Sequence, residues 1–265
     1  MTPDEAALRL EWTSSEFMLR WLRRLPDVTV TRFGDAWATR CADHPDIDFL
    51  NTVHRLRPGD AELVPAIVEH YRSAGCGPWF ELMPEREFGR LAGALSAAGG
   101  RHTEFFTMLE QDLPAAPGPA PEPPVGVEIA EVGPGDEDFI HVLPTGHDVP
   151  AEHLADAIDR TRHQARVEDA RRYVASVDGT PAAAAVLLVV GELAYLANAS
   201  TLPAWRRRGC QGALIRRRLA DAAGAGCRRA CVIAAWASQS HANLAAAGFR
   251  VAYTKAVWRI DAPAT

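Results

Sequence analysis

The sequence predicts an α/β (α+β) fold in which two mixed, mainly antiparallel sheets are flanked by helices. Three apolar stretches, 171–177, 181–190 and 193–201, follow one another across the short turns Asp178-Gly179 and Gly191-Glu192. Turns of this kind connect antiparallel neighbours, so the three stretches predict a meander. Further along the chain, strand and helix patterns alternate, which is typical of a sheet covered by helices.

The other elements of the second half have their own signals. Alternating GVEIAEV at 126–132 predicts a strand, and a polar, partly helical stretch then extends to Asp169. After Gly209, a stripe of Ile215, Leu219 and Ala222 predicts a helix that ends at a glycine. The remaining signals predict a buried strand at 229–237, a short helix from Ser240 to Ala247, and a last strand at 249–260.

The first half repeats this order in outline. It predicts a strand at 48–56, a helix at 61–75, a strand at 78–84, a helix ending at Gly99-Gly100, and a strand at 103–110. The repetition indicates an internal duplication. The alternative is a chance similarity between two units that both alternate strand and helix.

A proline-rich segment separates the two halves. Six prolines stand in the eleven residues from Pro114 to Pro124, and prolines at this density favour a stiff, extended spacer. We therefore predict an N-terminal domain at 1–113, a linker at 114–124 and a C-terminal domain at 125–265. A surface loop within one domain is the alternative, although such a composition is uncommon there.

Composition excludes several classes of protein. The chain has 265 residues, of which 48% are hydrophobic and 23% charged, as in ordinary globular proteins. Its longest apolar run, Ala182–Val190, is nine residues, about half of the ~18 that cross a bilayer. We expect no membrane partner and, since the first residues lack a secretory pattern, a cytoplasmic location. Five scattered cysteines without CxxC spacing argue against a zinc site.

The most informative stretch is the loop from Thr201 to Leu214, TLPAWRRRGCQGAL. It joins an apolar strand to a helix, and its glycines let successive backbone amides converge at the positive end of that helix. Six arginines stand within thirteen residues of a protein whose net charge is −6: Arg206, Arg207, Arg208, Arg216, Arg217 and Arg218. Such a local cluster fits a diphosphate better than a nucleic acid, so we expect no nucleic-acid partner.

The order T-x-P-x-x-R-x-x-G-x-Q-G-A-L resembles the acyl-CoA-binding motif of the GNAT N-acetyltransferase superfamily. Arg206 stands at the [QR] position and Gly209 at the first glycine, whereas Gln211 replaces a small residue. The resemblance covers Val127 to about Ile260. The first half is similar to a degenerate GNAT copy, because its corresponding turn, Arg57-Pro-Gly-Asp60, lacks the arginine-glycine pattern. The resemblance therefore implies a tandem arrangement.

The resemblance implies an acetyltransferase with acetyl-CoA as cosubstrate and no metal. The acetyl group would move by direct attack of an amine on a small molecule or peptide, in a monomer or homodimer. The residues that the resemblance assigns to CoA binding are Ala199, Ser200, Thr201, Arg206, Arg207, Arg208, Gly209, Cys210, Gln211, Gly212, Ala213 and Asn243.

Catalytic residues are harder to assign. The tyrosine that usually protonates the departing thiolate stands four residues before the Gly-Phe pair, and here that position is Leu244. His241 or Ser238 could replace it, as could water, and Tyr195 could supply a phenol or be a packing residue. Three further side chains could be catalytic or could be ordinary surface residues near a helix start: His147, Glu152 and His153.

The missing tyrosine and the degenerate first half leave a second class of function open. The chain could be a catalytically silent acyl-CoA-binding sensor or interaction module.

Overall fold

The computed structural model describes residues 3–116, 118 and 121–263, so Pro117, Pro119 and Ala120 of the predicted linker lie outside the described residues. The helices are α1 (Pro3–Leu22), α2 (Val64–Arg72), α3 (Phe88–Ala97), α4 (Glu137–Gly146), α5 (Ala151–Gln164), α6 (Cys210–Gly224) and α7 (Gln239–Ala246). The strands are β1 (Thr29–Phe33), β2 (Ala36–Arg40), β3 (Thr52–His54), β4 (Trp79–Leu82), β5 (Arg101–Asp112), β6 (Val127–Val132), β7 (Ala170–Val177), β8 (Thr180–Val190), β9 (Leu193–Thr201), β10 (Arg229–Ala235) and β11 (Arg250–Arg259).

The chain forms two compact units. Unit 1 contains the described residues of Met1–Met108, Ile233–Ser238 and Val251–Thr265, and unit 2 contains those of Leu109–Val232 and Gln239–Arg250. Most of the last strand, predicted as part of the second half, thus belongs to unit 1. The domain boundaries predicted at the proline-rich segment stay a prediction.

Unit 2 is built on strands in the order β10-β9-β8-β7-β6. The predicted meander is confirmed, since β7 pairs with β8 and β8 with β9, both antiparallel. Asp178 and Gly179 have φ of 49° and 78°, the left-handed backbone that a two-residue hairpin turn requires. The apolar run of β8 is buried from Ala182 to Leu188, as expected of a strand inside the sheet.

Helices flank this sheet. α4 begins after Asp136, whose carboxylate accepts a hydrogen bond from the backbone amide of Phe139 at 2.8 Å, a typical N-cap. Both α4 and α6 pack against β8 and β9, and α7 packs against α6. α7 is followed by Gly248, φ 97°, and the amide of Phe249 donates to the carbonyl of Leu244.

Unit 1 has the strand order β1-β2-β3-β4-β11-β5. β1, β2 and β3 pair antiparallel in sequence, and β3 then pairs parallel with β4. Unit 2 repeats this pattern, because β7, β8 and β9 are antiparallel and β9 pairs parallel with β10. The mixed, mainly antiparallel architecture predicted for both halves is confirmed. Sequence patterns did not predict α1, β1 or β2, and the predicted strand at 48–56 is reduced to β3.

The last strand completes the core of unit 1. β11 pairs antiparallel with β4, with Ala256 opposite Leu82. Its Lys255 is 2% exposed and donates to Glu11 at 2.9 Å and to Glu81 at 2.8 Å. Tyr253 donates to the same Glu11 at 2.8 Å, so the buried carboxylate of α1 holds the chain terminus in this unit.

No helix among the described residues is long and apolar enough to span a membrane.

Candidate active site

Among the described residues, one edge of β9 lacks a strand partner over most of its length. Its parallel register with β10 in the described chain joins only Leu193–Tyr195 to Arg229–Cys231. Its antiparallel register with β8, in contrast, extends to Thr201 opposite Ala183. The backbone groups of 196–201 that face away from β8 are therefore placed to pair with an extended ligand, as an added strand would.

A β-bulge interrupts β9 where this open edge begins. Val186 pairs with Ala197 and Ala185 with Ala199, so Asn198 is the extra residue. Its φ is 26°, and such a bulge re-aims the backbone that follows. The side-chain Nδ2 of Asn198 is buried without a hydrogen-bond partner among the described residues. Sequence reasoning overlooked Asn198, although an asparagine within this apolar stretch is a polar residue that tolerates positive φ.

The end of β9 leads into the loop whose backbone amides are predicted to bind a diphosphate, Arg207 to Gly212. We call this segment the anion cradle. A single 3-10 turn, Pro203–Trp205, follows the strand, and Arg207 and Gly209 then take left-handed φ of 63° and 82°. The first backbone hydrogen bond into α6 is from Ala213 to Gly209 at 3.0 Å. The amides of the first helical turn, which have no partner within their own helix, therefore lie at its positive end.

Two glycines allow close packing around this region. A Cβ at residue 209 would lie 2.8 Å from Cγ of Pro124, so a side chain there is excluded by space as well as by φ. A Cβ at residue 146 would lie 2.5 Å from Oγ of Ser200. The C-terminal end of α4 thus packs directly on the end of β9, and Ser200 Oγ donates to the carbonyl of Val142 at 3.3 Å.

The three arginines of the loop differ in their contacts. The guanidinium of Arg206 donates to the carbonyls of Thr201 at 3.2 Å and Gly146 at 3.3 Å, and pairs with Asp148 at 2.6 Å. Arg206 therefore ties the loop to the end of α4. Arg207 and Arg208 are exposed and have no carboxylate partner in the part of the chain that the structure describes, while Arg208 lies over the ring of Trp205.

Two of the six predicted anion-binding arginines are engaged elsewhere. Arg217 donates to Asp221 at 2.9 Å. Arg218 is 1% exposed and bonds only to backbone carbonyls among the described groups, so its guanidinium is directed into the interior of unit 2. Leu214, Arg218 and Ala222 repeat every four residues, and this spacing places Arg218 on the buried face of α6.

Cys210 is the first residue of α6 and is 1% exposed. Burial raises the pKa of its thiol above the ordinary value, which favours the neutral form. The nucleophilic form of cysteine is the thiolate, so this thiol is a packing group.

The proton-donor candidates are dispersed. Tyr195 is buried in the paired stretch of β9, about 13 Å along the strand from Ala199 at ~3.3 Å per residue. Leu244 is 2% exposed and belongs to the core. His241 and Asn243 lie on α7, where Asn243 accepts a hydrogen bond from Gln239 at 3.0 Å. Ser238 belongs to unit 1 and directly precedes that helix.

The candidate bases of the second half are surface groups. His147 follows α4, and Glu152 and His153 lie in the first turn of α5, and all three are exposed. Desolvation lowers the pKa of His147 below its ordinary value, and a catalytic role for any of the three stays a prediction.

The corresponding turn of unit 1 carries its own carboxylates. Asp60 accepts a hydrogen bond from the backbone amide of Arg57 at 3.1 Å, so a carboxylate already occupies that amide. The guanidinium of Arg57 in turn donates to both carboxylate oxygens of Glu85. Negative charge built into this turn disfavours a diphosphate.

No group of three or more potential metal-ligating side chains is found within residues 3–116, 118 and 121–263.

Residues 145–235 match the family model described as an acetyltransferase (GNAT) domain. This match spans the end of α4, β7 to β9, the loop and α6 to β10. The comparison with curated proteins finds no match.

Solved structures resemble nearly the whole chain. A GCN5-related N-acetyltransferase from Kribbella flavida has a TM-score of 0.64 at 18% identity, over 96% of this chain and 95% of its own. One from Sphaerobacter thermophilus has a TM-score of 0.65 at 15% identity, over 87% and 82%. A tandem GNAT protein from the clavulanic acid biosynthesis pathway has a TM-score of 0.61 at 14% identity, over 95% and 96%.

At these identities the structures show a shared fold and nothing about the substrate. The family match adds the domain type, and it includes the strand, loop and helix that form the candidate site. Residues 145–235 therefore match a GNAT acetyltransferase domain, and the chain shares the fold of solved GCN5-related N-acetyltransferases.

Proposed function

We propose that this protein is an N-acetyltransferase that transfers an acetyl group from acetyl-CoA to an amine of a small molecule or peptide. The observation that carries the proposal is the continuity of the open edge of β9 with a glycine-capped helix N-terminus. One segment of chain thus offers extended backbone pairing and an anion cradle in succession, which fits a ligand with an amide-containing arm and a diphosphate.

The chain supplies distinct groups to each part of such a ligand. The amides of Arg207 to Gly212 would bind the diphosphate, with Arg207 and Arg208 as exposed cations beside them. Ala199 to Thr201 would pair with the pantetheine arm. The Nδ2 of Asn198, which has no hydrogen-bond partner in the described part of the chain, is a buried donor that a carbonyl of that arm would satisfy.

When bound, acetyl-CoA supplies the acetyl group as a thioester. Backbone amides at the end of β9 would donate to the thioester carbonyl oxygen, which gains negative charge during attack, and this would lower the barrier. In the proposed step a neutral amine would attack the carbonyl carbon directly as the C–S bond breaks. The nitrogen would give up one proton and the thiolate would take up one, which leaves the acetylated amine and the free thiol. Burial of Cys210 argues against a covalent acyl-enzyme at that residue.

Proton transfer would be shared rather than assigned to one residue. Leu244 replaces the usual tyrosine and is buried, so it offers no acid. His241, Ser238, Tyr195 or water would serve the departing thiolate, with His241 favoured because its helix packs on α6. A CoA thiolate is a good leaving group and needs only modest help.

Unit 1 would contribute structure and not CoA binding. The carboxylates of Asp60 and Glu85 at its corresponding turn support this assignment, and the tandem arrangement with a degenerate first copy is part of the same proposal. The cytoplasmic location and the monomeric or dimeric state belong to the same proposal.

The experiment that tests the function is turnover of acetyl-CoA with a panel of amines, measured as release of the free thiol. We expect amine-dependent release without a burst of bound acetyl group. The competing proposal is a silent acyl-CoA sensor, which the loss of the tyrosine favours. Tight CoA binding without turnover on any amine would support that alternative.

A further inference from the structure

Arg218 is a buried guanidinium that bridges the helix after the anion cradle and the bulge of the sheet. Its Nε donates to the carbonyl of Leu214 in its own helix at 3.1 Å. Its Nη1 donates to the carbonyl of Val186 on β8 at 3.0 Å and to that of Ala197 on β9 at 3.2 Å. One side chain thus joins α6 to both strands.

The two strand carbonyls have a specific location. Val186 and Ala197 form the register pair directly beside the shift, and Asn198 is the bulged residue that follows. A bulge disrupts the ladder locally and leaves backbone groups in need of partners. Arg218 supplies those partners from the helix side, so it fixes the bulge at a set distance from the start of α6.

Burial of the Arg218 guanidinium costs desolvation free energy, and this cost indicates that the residue has a specific role. A guanidinium that is 1% exposed has lost its hydration, and no carboxylate among the described residues pairs with it. Burial lowers the pKa of Arg218 to about 10, so the group is still a cation at neutral pH. A leucine or methionine would fill the same volume without this desolvation cost.

We propose that Arg218 is a positioning residue that holds the bulged end of β9 in register with the anion cradle at the start of α6. The proposal rests on the proposed function, in which one ligand spans both features. Loss of Arg218 would leave each feature formed but let their separation vary. A ligand that binds only the cradle would then be unaffected, whereas a ligand that spans both would bind less tightly.

The test compares two ligands. 3′-Phosphoadenosine 5′-diphosphate contains only the nucleotide part of CoA, and acetyl-CoA contains that part and the arm. For Arg218→Met we expect an unchanged Kd for the nucleotide and a Kd for acetyl-CoA raised about tenfold or more, the equivalent of one lost hydrogen bond. Arg218→Lys can reach fewer carbonyls and should lie between Arg218→Met and the wild type, and it decides the question if Arg218→Met does not fold.

Arg172 provides the matched control. It is also buried, at 6% exposed, and its guanidinium donates to the carbonyls of Ala170, at 2.7 Å, and Val167 in the same unit. Arg172→Met should lower the melting temperature without changing the ratio of the two affinities. Faster hydrogen exchange of 196–201 in Arg218→Met than in Arg172→Met would agree with the proposal.

The outcomes separate the two proposals. Suppose that the wild type binds both ligands, and that Arg218→Met and Arg218→Lys leave the ratio of the two Kd values unchanged, including the case in which both Kd values rise equally. The positioning role is then overturned, but the proposed function is not. If the wild type binds neither ligand, the proposed function fails and the positioning role fails with it.

Discussion

Gly209 lies so close to Pro124 that a Cβ on residue 209 would approach the proline ring to 2.8 Å. The residue also has φ 82°, a conformation that costs other residues about 1–2 kcal/mol. Two independent constraints therefore require glycine where the loop turns into α6. The backbone amides of the proposed diphosphate site depend on this turn.

Gly209→Asp should abolish CoA binding. The new side chain would strain the turn, collide with Pro124 and place a carboxylate beside the proposed diphosphate site. Calorimetric titration with CoA measures the effect. Gly135→Asp is the control, because a Cβ at residue 135 meets nothing within 4 Å, and unchanged affinity in Gly209→Asp would refute the site.

His241→Ala and Ser238→Ala should each lower kcat by no more than about a hundredfold, the lower end of what one positioned acid or base contributes. The reason is that several donors and water can protonate the thiolate. The measurement is kcat at saturating acetyl-CoA with an amine found in the panel. A loss of about four decades from His241→Ala, with CoA affinity intact, would instead identify that histidine as the acid.

A fragment of residues 125–265 should aggregate. The fragment retains β11 but lacks β4, its antiparallel partner. It also lacks Glu11 and Glu81, so the Lys255 ammonium, 2% exposed in the whole chain, loses both carboxylates. Size-exclusion chromatography beside the full chain tests this, and a soluble, monomeric, CoA-binding fragment would contradict it.

His54 should make unit 1 sensitive to acid. The side chain is 5% exposed and its Nε2 has no hydrogen-bond partner among the described residues. Burial, with a contribution from the nearby Lys255 cation, lowers the pKa of His54 to about 3. Because the folded-state pKa lies below the unfolded value of about 6.5, the unfolded chain binds the proton first as pH falls.

The resulting stability is present above about pH 6.5 and is lost as pH falls toward 3. Between pH 7 and pH 5 we expect His54 to account for a loss of about 2 kcal/mol of unfolding free energy. Urea unfolding of the wild type and His54→Gln at both pH values measures the difference. His102→Gln, at an exposed histidine of the same unit, should follow the wild type, and a parallel pH dependence in His54→Gln would disprove the assignment.

Much of unit 2 was predictable from the sequence, because its strands and helices are bounded by turn and glycine signals between neighbouring residues. The Asp178-Gly179 and Gly191-Glu192 turns fix β7, β8 and β9, and β9 has the predicted bounds Leu193–Thr201. Gly209 marks the start of α6 as expected. The sequence analysis did not predict α1, β1 and β2, although Gly34, φ 58°, is a local signal for the turn that joins β1 to β2.

The loop of the candidate site was predictable from the sequence, but the residues that position the loop were not. The glycine and arginine pattern indicated the anion cradle, because residue type directly determines side-chain charge and whether positive φ is accessible. The bulge at Asn198 and the inward direction of Arg218 depend on how β8, β9 and α6 meet. Arginine content alone therefore overestimates the number of exposed, uncompensated cations beside the loop.

The structure of the full chain crystallised with acetyl-CoA tests the central claim most directly. We predict one molecule per chain, with its diphosphate within hydrogen-bond distance of the amides of Arg207 to Gly212 and its arm along Ala199 to Thr201. The turn at Arg57 to Asp60 should hold none. A molecule bound at that turn, or a diphosphate away from the start of α6, would contradict the account.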